Sequence, residues 1–347
     1  MPDAEPQGVG VVPLQGFPEV QPGDSLADLI RTALVDSHYV LEPGDVLVVS
    51  SKVVSKALAL VETTARDDVV ARESVRVVAT RRTPRGTASI VESAAGPVMA
   101  AAGVDASNTA PGTVLTLPHD ADEVARQLRR DLRALGLALH AVVISDTAGR
   151  AWRTGQTDFA LGAAGLVVVD DLRGTTDTFG QQLEVTERAV ADEIAAAADL
   201  VKGKASDTPV ALVRGLSAFV TEDDGPGARS LVRTASDWFR HGHVEAVRLA
   251  LGVAADAVEA PSVTPEALAH KANRALQVAL VGHDSVQADV TGRTDWVSIS
   301  LRGSDFELGA VSERLLAALW AEDLAGQVEG DLTAPEGALV VRVEARA

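Results

Sequence analysis

The sequence of 347 residues contains no cysteine, and only 3% of its residues are aromatic. The lack of cysteine excludes disulfide bonds, thiolate-bound metals and a cysteine nucleophile. Because 46% of the residues are nevertheless hydrophobic, a folded core must be built mainly from alanine, valine and leucine. No run of about 18 apolar residues occurs, and the N-terminal segment has no basic stretch followed by an apolar one. We therefore expect a soluble cytoplasmic protein without a membrane partner.

Basic residues are outnumbered by acidic ones, and the formal net charge is −18 at pH 7. Nucleic acids bind basic surfaces, so this charge balance argues against a nucleic-acid partner. A small phosphorylated ligand needs only a local cluster of lysine and arginine, and the composition is compatible with such a ligand. Three common signatures are missing: the P-loop G-x-x-x-x-G-K-S/T, the dinucleotide fingerprint G-x-G-x-x-G and the nucleophile elbow G-x-S-x-G.

The most informative segment comprises residues 141–158, AVVISDTAGRAWRTGQTD. A short apolar run of strand character opens it, and Asp146 and Thr147 follow where we expect the strand to end. Their oxygen atoms suit Mg2+ or Mn2+, and the guanidinium groups of Arg150 and Arg153 can form paired hydrogen bonds with phosphate or carboxylate. The segment therefore predicts a site for phosphate and metal. The alternative is an ordinary strand-to-loop exit, in which the Asp-Thr pair caps the next segment.

Three shorter motifs suit phosphate or ligand binding, although each is weak by itself. SSKVVSK follows a predicted strand and offers Ser51, Lys52 and Lys56 to phosphates, but a solvated helix start is the more common outcome for such a motif. AGVDASN places Asp105 and Asn108 among small residues that let a ligand approach the backbone, but an isolated motif of this kind is more often a turn. A loop predicted after residue 201 offers further phosphate contacts from Lys202, Gly203, Lys204 and Ser206.

Apolar runs and helical periodicity predict strands and helices along the whole chain. The predicted strands are residues 45–49, 75–80, 89–92, 141–144, 209–213, 296–301 and 338–343. One predicted helix begins at Leu26, with Asp24 or Ser25 as its cap, and others cover residues 122–135, 186–201, 264–281 and 306–324. Residues 249–263 are predicted to be a linker between a domain of residues 1–248 and a small α+β module of residues 264–347.

The motifs GFPEVQPGD, SSKVVSK, AGVDASN, SDTAGRAWRTGQTDFALGAAG, LEVTERAVADEIAAAADLVKGKA and VRGL follow one another in this order. In content and order they resemble the coenzyme F420-0:L-glutamate ligase family over roughly residues 8–245. The resemblance implies an α+β fold, with a ligase core of mixed sheets that forms an unusual homodimer and has no P-loop. Actinobacterial relatives often carry a nitroreductase-like domain after the ligase, but residues 264–347 are too few for that fold. A lid, a dimer arm and a degenerate remnant are the alternatives for this module.

The resemblance also implies an activity. Enzymes of this family use GTP as co-substrate, with Mg2+ or Mn2+ and with K+, to join L-glutamate through its amine to a carboxylate of the deazaflavin precursor F420-0. Later glutamates are added by γ-linkage. The implied mechanism phosphorylates the acceptor carboxylate to an acyl phosphate, which the glutamate amine then attacks. A metal-dependent phosphohydrolase and a non-catalytic nucleotide-binding protein are the alternatives.

The resemblance further implies roles for individual residues. Asp105, Asp146 and Thr147 are the implied metal ligands. The implied guanine-nucleotide contacts are Phe17, Pro18, Glu19, Val20, Ser51, Lys52, Lys56 and Asn108, to which the predicted phosphate loop adds Lys202 and Gly203. Arg150 and Arg153 are the candidate catalytic groups, either for the transferring phosphoryl group or for the carboxylates of glutamate.

Overall fold

A computed structural model describes residues 8–83, 86–138, 141–203, 208–233, 235–329 and 337–346. These residues form helices and several mixed or antiparallel sheets, which confirms the predicted α+β fold. The chain divides into two compact units: the first contains the described residues up to Val69 and from Ser93 to 233, and the second contains Val70–Glu92 and the described residues from Ala235 onward. None of the described helices is long and apolar enough to cross a bilayer.

The elements are numbered in chain order. The first half of the chain contains β1 (Gly10–Leu14), α1 (Leu26–Asp36), β2 (Val46–Ser50), α2 (Ser51–Ala57), β3 (Val61–Glu62), α3 (Arg66–Arg72), β4 (Ser74–Thr83), β5 (Gly86–Ser93), β6 (Val98–Ala100), β7 (Val114–Leu115), α4 (Ala121–Ala134), β8 (Ala141–Arg150) and β9 (Arg153–Ala164). The second half contains β10 (Asp170–Asp171), β11 (Glu187–Arg188), α5 (Val190–Lys202), β12 (Val210–Arg214), α6 (His243–Ala250), α7 (Leu268–Leu280), β13 (Gln287–Gly292), β14 (Trp296–Arg302), α8 (Asp305–Ala321), β15 (Leu324–Glu329) and β16 (Ala338–Ala345).

The first unit is built on a five-stranded mixed sheet with the strand order β1-β12-β2-β8-β9. Only β2 and β8 are paired in parallel in this sheet, and their pairing ends at Ser50 opposite Ser145. Since parallel strands point the same way, the carboxyl ends of β2 and β8 lie at one edge of the sheet.

Helices cover both faces of this sheet, which explains why its central strands read as continuous apolar runs. On β2, Leu47 and Val49 pack in a core that includes residues of α1 and α4, whereas Val46 and Val48 pack in a second core with α5. Ser25 caps α1, as the sequence predicted, because its hydroxyl accepts a hydrogen bond from the N–H of Asp28.

The second unit contains a four-stranded antiparallel sheet with the strand order β13-β14-β16-β15. Alternate residues of β14 (Val297, Ile299 and Leu301) are buried in a core that also contains apolar residues of α7 and α8. The paired strands β4 and β5 also belong to this unit. In the sequence they lie between β2 and β8, which are both strands of the first unit's five-stranded sheet.

The structure corrects several predicted element boundaries. The helix predicted over residues 186–201 begins only at Val190, because residues 187 and 188 form β11 and pair with β10. The helix predicted over 306–324 ends at Ala321, since Asp323 has a positive φ of 58° that no α-helix can continue. The helix predicted from residue 264 begins at Leu268, after Pro265. Strands β13 and β15 are absent from the sequence-based prediction.

The segment predicted to be a linker, residues 249–263, packs within the second unit. Val253 and Val258 are buried in the same core as α7 and α8. The guanidinium group of Arg248 donates to the carbonyl oxygens of Val258 and Glu259, at 2.8 and 2.6 Å. The second unit therefore includes this segment, because its apolar side chains and its backbone carbonyls are both bound there.

A buried ionic network joins α7 to the end of α8. Arg274 bonds to both carboxylate oxygens of Glu266, at 2.6 and 2.8 Å, and to both of Glu322, at 2.8 and 2.6 Å. Burial raises the pKa of Glu266, but the hydrogen bonds and the positive charge of Arg274 lower it by more, so this pKa lies below its usual value. Arg274 thus bonds to two largely buried carboxylates at once and favours the ionised form of Glu266.

Because α4 packs closely on β9, a single methyl group added at Gly162 should destabilise the fold. A Cβ there would lie 2.2 Å from the carbonyl oxygen of Ala121. We expect Gly162→Ala to cost about 1–3 kcal/mol, as overpacking usually does, and to lower the melting temperature in scanning calorimetry. Gly149→Ala on β8 is the matched control, because a Cβ there meets nothing within 4 Å. Equal melting temperatures of the two variants would contradict this packing.

The Arg274 network predicts a stability loss that depends on pH. Arg274→Met removes the cation that bonds directly to both buried carboxylates; Arg248 stays 4.0 Å from Glu322 and His270 stays 3.3 Å from Glu266. The substitution should cost about 3–5 kcal/mol at pH 7. Because the folded-state pKa of Glu266 is depressed, its contribution to stability is present above the unfolded pKa and is lost as the pH falls through the folded one. The stability difference between the variant and the unmodified chain should therefore shrink as the pH falls below about 4.

Thermal unfolding followed by circular dichroism at several pH values measures this difference. Arg302→Met is the control, since Arg302 is an exposed arginine on β14 of the same unit. A loss that stays the same size as the pH is lowered from 7 to well below about 4 would contradict the role assigned to the ion pairs.

Candidate active site

The parallel pairing of β2 and β8 brings two of the predicted site residues together. Ser51 begins α2 directly after β2, and Asp146 follows Ser145, the last β8 residue paired with β2. The hydroxyl of Ser51 donates to Oδ1 of Asp146 at 2.7 Å, although the two residues are 95 positions apart in the sequence. This hydrogen bond marks the centre of the candidate site.

The strand that carries Asp146 is longer than predicted. The sequence predicted that it ends at residue 144 and gives way to a loop, but β8 continues to Arg150. The extra residues pair with β9, with Asp146 opposite Phe159 and Thr147 opposite Asp158, which gives their backbone groups partners in the ladder. Successive strand residues point to opposite faces, so Asp146 faces Ser51 while Thr147 faces Asp158.

The AGVDASN motif forms a constrained loop beside Lys52. The N–H and C=O of Asp105 are both bonded to Leu115, and the Asp105 carboxylate accepts from the backbone N–H and the hydroxyl of Ser107, at 2.7 and 2.8 Å. The ammonium group of Lys52 lies 2.9 Å from Oδ2 of Asp105. Gly103 has a positive φ of 78°, and a Cβ there would lie 2.3 Å from Cδ1 of Leu117, so any side chain at this position would be strained.

Electrostatics distinguishes the two carboxylates of the site. Burial raises the pKa of Asp105, but its bonds to Ser107 and Lys52 lower it by more, so the pKa lies below its usual value. For Asp146, burial raises the pKa to about 6; the hydrogen bond from Ser51 opposes this shift, and the nearby charges of Asp158 and Asp105 add to it. Negative charge is therefore crowded around Asp146.

The donor set of the site fits a hard divalent cation bound together with a ligand. Among the described residues, no group of three or more carboxylate and imidazole side chains is arranged to hold a metal. Mg2+ needs only one or two protein carboxylates when water and substrate phosphates supply the other ligands. Asp105 and Asp146 provide two such groups, and the crowded negative charge at Asp146 favours a cation. The predicted role of Thr147 as a third ligand stays a prediction, because its hydroxyl proton is bonded to Asp158 on the other face of β8.

The structure corrects the predicted phosphate loop after residue 201. Lys202 is the last residue of α5 rather than a loop residue, and it is only 4% exposed. Gly203 follows the helix with a positive φ of 63°. The predicted contacts of Lys204 and Ser206 lie outside the described residues. A contact of Lys202 or Gly203 with a nucleotide stays a prediction.

Lys202 belongs to a buried polar network that the sequence analysis missed. Its Nζ donates to Oδ2 of Asp158 at 2.8 Å and to the hydroxyl of Ser145 at 2.5 Å. Asp158 also accepts from the hydroxyls of Ser145 and Thr147, at 2.9 and 2.7 Å. Two hydroxyl residues on one strand and a carboxylate on the next can indicate such a hydrogen-bond network, but only when the register of the hairpin is known.

The loop of residues 17–20, which is predicted to contact the nucleotide, has two buried and two exposed side chains. Phe17 and Val20 are buried, whereas Pro18 and Glu19 are exposed. Lys56 reaches this loop, with its Nζ 2.5 Å from Oε1 of Glu19. Any contact of Phe17 or Val20 with a ligand therefore has to use the backbone.

The remaining predicted residues are exposed. Arg150 and Arg153 face each other across the tip of the β8–β9 hairpin, next to Trp152. Arg150 lies four residues beyond Asp146, or about 13 Å along an extended strand, so the structure does not bring the two arginines to the carboxylates. Asn108 has a positive φ of 54° and an exposed side chain. The roles of these three residues stay predictions.

The family model described as F420-0:Gamma-glutamyl ligase matches residues 16–215. This range contains every residue of the candidate site and more than half of the chain. The chain belongs to this ligase family. The match confirms the resemblance drawn from the sequence motifs, and it ends before the residues from Ala235 onward that belong to the second unit.

Curated relatives of this F420-0:gamma-glutamyl ligase family member bear the name Coenzyme F420:L-glutamate ligase. The protein of Methanopyrus kandleri is 40% identical over 252 residues, which cover 66% of this chain and 96% of the relative. The protein of Methanothermobacter thermautotrophicus is 36% identical over 249 residues, covering 65% of this chain and 96% of the relative. That of Archaeoglobus fulgidus is 36% identical over 227 residues, covering 60% and 88%.

Proposed function

We propose that this protein joins L-glutamate to coenzyme F420-0, adds further glutamates by γ-linkage, and uses GTP with Mg2+ or Mn2+. The observation that carries the proposal is the meeting of Asp146, Ser51, Asp105 and Lys52 at one edge of the sheet, within the region that matches the ligase family. The names of the curated relatives support the acceptor and the amino acid. The site chemistry and the family resemblance support the nucleotide and the metal.

Asp105 and Asp146 are the groups that would hold the divalent cation. When bound, such a cation supplies positive charge beside the phosphate groups of the nucleotide. Lys52 and Lys56 add positive charge from the protein. Each ammonium group has three donors, and the structure shows Lys52 bonded to Asp105 and Ser107 and Lys56 bonded to Glu19. Each lysine can therefore donate to a phosphate oxygen while it keeps its carboxylate partner.

The proposed reaction has two covalent steps. A carboxylate oxygen of F420-0 attacks the γ-phosphorus of GTP, and the bond to GDP breaks to give an acyl phosphate. The amine nitrogen of glutamate then attacks the acyl carbon, an amide bond forms, and inorganic phosphate leaves as the nitrogen loses its proton. Arg150 and Arg153 are proposed to bind either the transferring phosphoryl group or the carboxylates of glutamate. A homodimer and a K+ requirement belong to the same proposal and rest on the family resemblance.

Product analysis by mass spectrometry tests this function directly. The chain is incubated with GTP, L-glutamate, F420-0 and Mn2+, and we expect glutamylated F420, GDP and phosphate. Asp146→Asn should remove about 90–99% of the product or more, since variants of metal sites typically lose about 10–100-fold. Asp28→Asn, an exposed aspartate on α1, is the matched control and should retain full activity.

Other outcomes separate the alternatives. Release of GDP at the same rate with and without glutamate would identify a phosphohydrolase instead. Binding of GTP with no turnover of any acceptor would identify a nucleotide-binding protein. Full activity of Asp146→Asn in chelator-treated buffer would overturn the metal assignment.

Lys56 provides a separate test of nucleotide binding. Lys56→Met removes a charge-assisted hydrogen bond to a phosphate, worth about 1.5–3 kcal/mol, so affinity for GTP and GDP should fall together by about tenfold or more. Arg31→Met is the control, because Arg31 is a cation on the surface of the same unit that bonds only to Asp28 among the described contacts. Titration calorimetry measures both variants, and an unchanged affinity of Lys56→Met would remove Lys56 from the binding site.

A further inference from the structure

The buried pair of Lys202 and Asp158 adjoins the proposed cation site but has no part in the proposed reaction. Each residue is only 4% exposed, and Nζ lies 2.8 Å from Oδ2. Taking both charges out of water costs free energy that their attraction repays only when the geometry and the other hydrogen bonds are good. Replacing a buried ion pair by apolar residues of similar volume is often neutral or stabilising, so stability alone does not explain the pair.

Asp158 holds the residues on both sides of Asp146. The hydroxyls of Ser145 and Thr147 donate to its two carboxylate oxygens, Oδ2 and Oδ1. Lys202 donates to the same Oδ2 and to the Ser145 hydroxyl, so one ammonium group binds both ends of the Ser145–Asp158 contact. The three residues 145–147 are therefore attached through their two outer side chains, while the middle side chain points to the opposite face.

The backbone at this point is irregular and needs such an attachment. The β8–β9 register shifts between Ile144 and Ser145, directly before the site, and the parallel pairing with β2 ends at Ser145. Residues 146–150 therefore have a ladder partner on one side only. Irregularities of this kind re-aim side chains, but they also leave the strand less firmly fixed.

We propose that Asp158, bonded to Lys202, is a positioning residue that fixes residues 145–147 and so aims the Asp146 carboxylate at the divalent cation. The inference rests on the proposed function, because the cation is part of that proposal. It assigns Lys202 a structural partner inside the protein in addition to any contact with the nucleotide.

The direction in which one substitution changes Mn2+ affinity distinguishes a positioning role from a simple electrostatic one. Lys202→Met removes a positive charge near a cation site, so electrostatics alone would tighten Mn2+ binding. Loss of positioning would weaken it, by about tenfold as for other outer residues of metal sites. Ser145→Ala breaks one of the two hydroxyl bonds without changing any charge, and it should weaken Mn2+ binding by a smaller factor.

Electron paramagnetic resonance of Mn2+ measures these affinities, with a fixed concentration of a non-hydrolysable GTP analogue and the analogue alone as the blank. Arg214→Met is the matched control: Arg214 is the cation partner of the buried Asp45, which directly precedes β2 at the end of the strand opposite to the site. It should lower the melting temperature and leave Mn2+ affinity unchanged. In the Asp146→Asn background, Lys202→Met should cause no further loss of Mn2+ affinity, because the carboxylate that Asp158 positions is gone.

Each outcome decides between the two proposals. If the unmodified chain with the analogue binds no Mn2+ beyond the blank, the cation site of the proposed function is overturned, and this inference with it. If the unmodified chain binds Mn2+ and Lys202→Met binds it equally or more tightly, only the positioning role is overturned. Should Lys202→Met fail to fold, Ser145→Ala decides, and an unchanged affinity of that variant would overturn the positioning role.

Discussion

Ser50 and Ser145 end the parallel pairing of β2 and β8 at one edge of the five-stranded sheet. Every later feature of the site depends on this pairing. It brings α2, with Ser51 and Lys52, to the strand that carries Asp146. Both strands are buried on both faces, so their register is set by two cores at once and the polar residues after them are held in fixed positions. A rigid core thus supports a polar edge, which is the common arrangement for binding sites in sheets of this kind.

The carboxylates at this edge of the sheet differ in whether a positively charged side chain compensates them. Three of its carboxylates have a lysine partner, in the pairs Asp105–Lys52, Glu19–Lys56 and Asp158–Lys202. Asp146 is bonded to a hydroxyl instead, and burial beside two other carboxylates raises its pKa to about 6. Its negative charge is therefore the least compensated of the four described here, and a bound cation would relieve that imbalance. Three lysines of a chain with a net charge of −18 thus lie beside carboxylates at this edge.

Sequence patterns predicted the central strands and the site motifs because both depend on local residue types. Apolar runs are sufficient to find β2 and β8, and polar residues directly after them mark a sheet edge. The role of Asp158 could not be predicted, because it depends on the hairpin register. With the turn between Arg150 and Arg153, an unbroken ladder would place Gln156 opposite Thr147, but the irregularity between Gly149 and Arg150 shifts the register by two residues and places Asp158 there. A lysine followed by glycine at a helix end usually faces solvent, and nothing local in the sequence shows that Lys202 is buried.

The second unit is assembled from two separated parts of the chain, residues 70–92 and the described residues from Ala235 onward. The first part leaves the ribosome roughly 140 residues before the second begins. At a translation rate of about 5–20 residues per second, about 7–30 s pass between the synthesis of β5 and the start of the second part. The part of the first unit that begins at Ser93 emerges within that interval, and its part up to Val69 has been made before it. The order of the segments in the gene therefore allows the unit with the candidate active site to fold first during translation, and the second unit can be completed only afterwards.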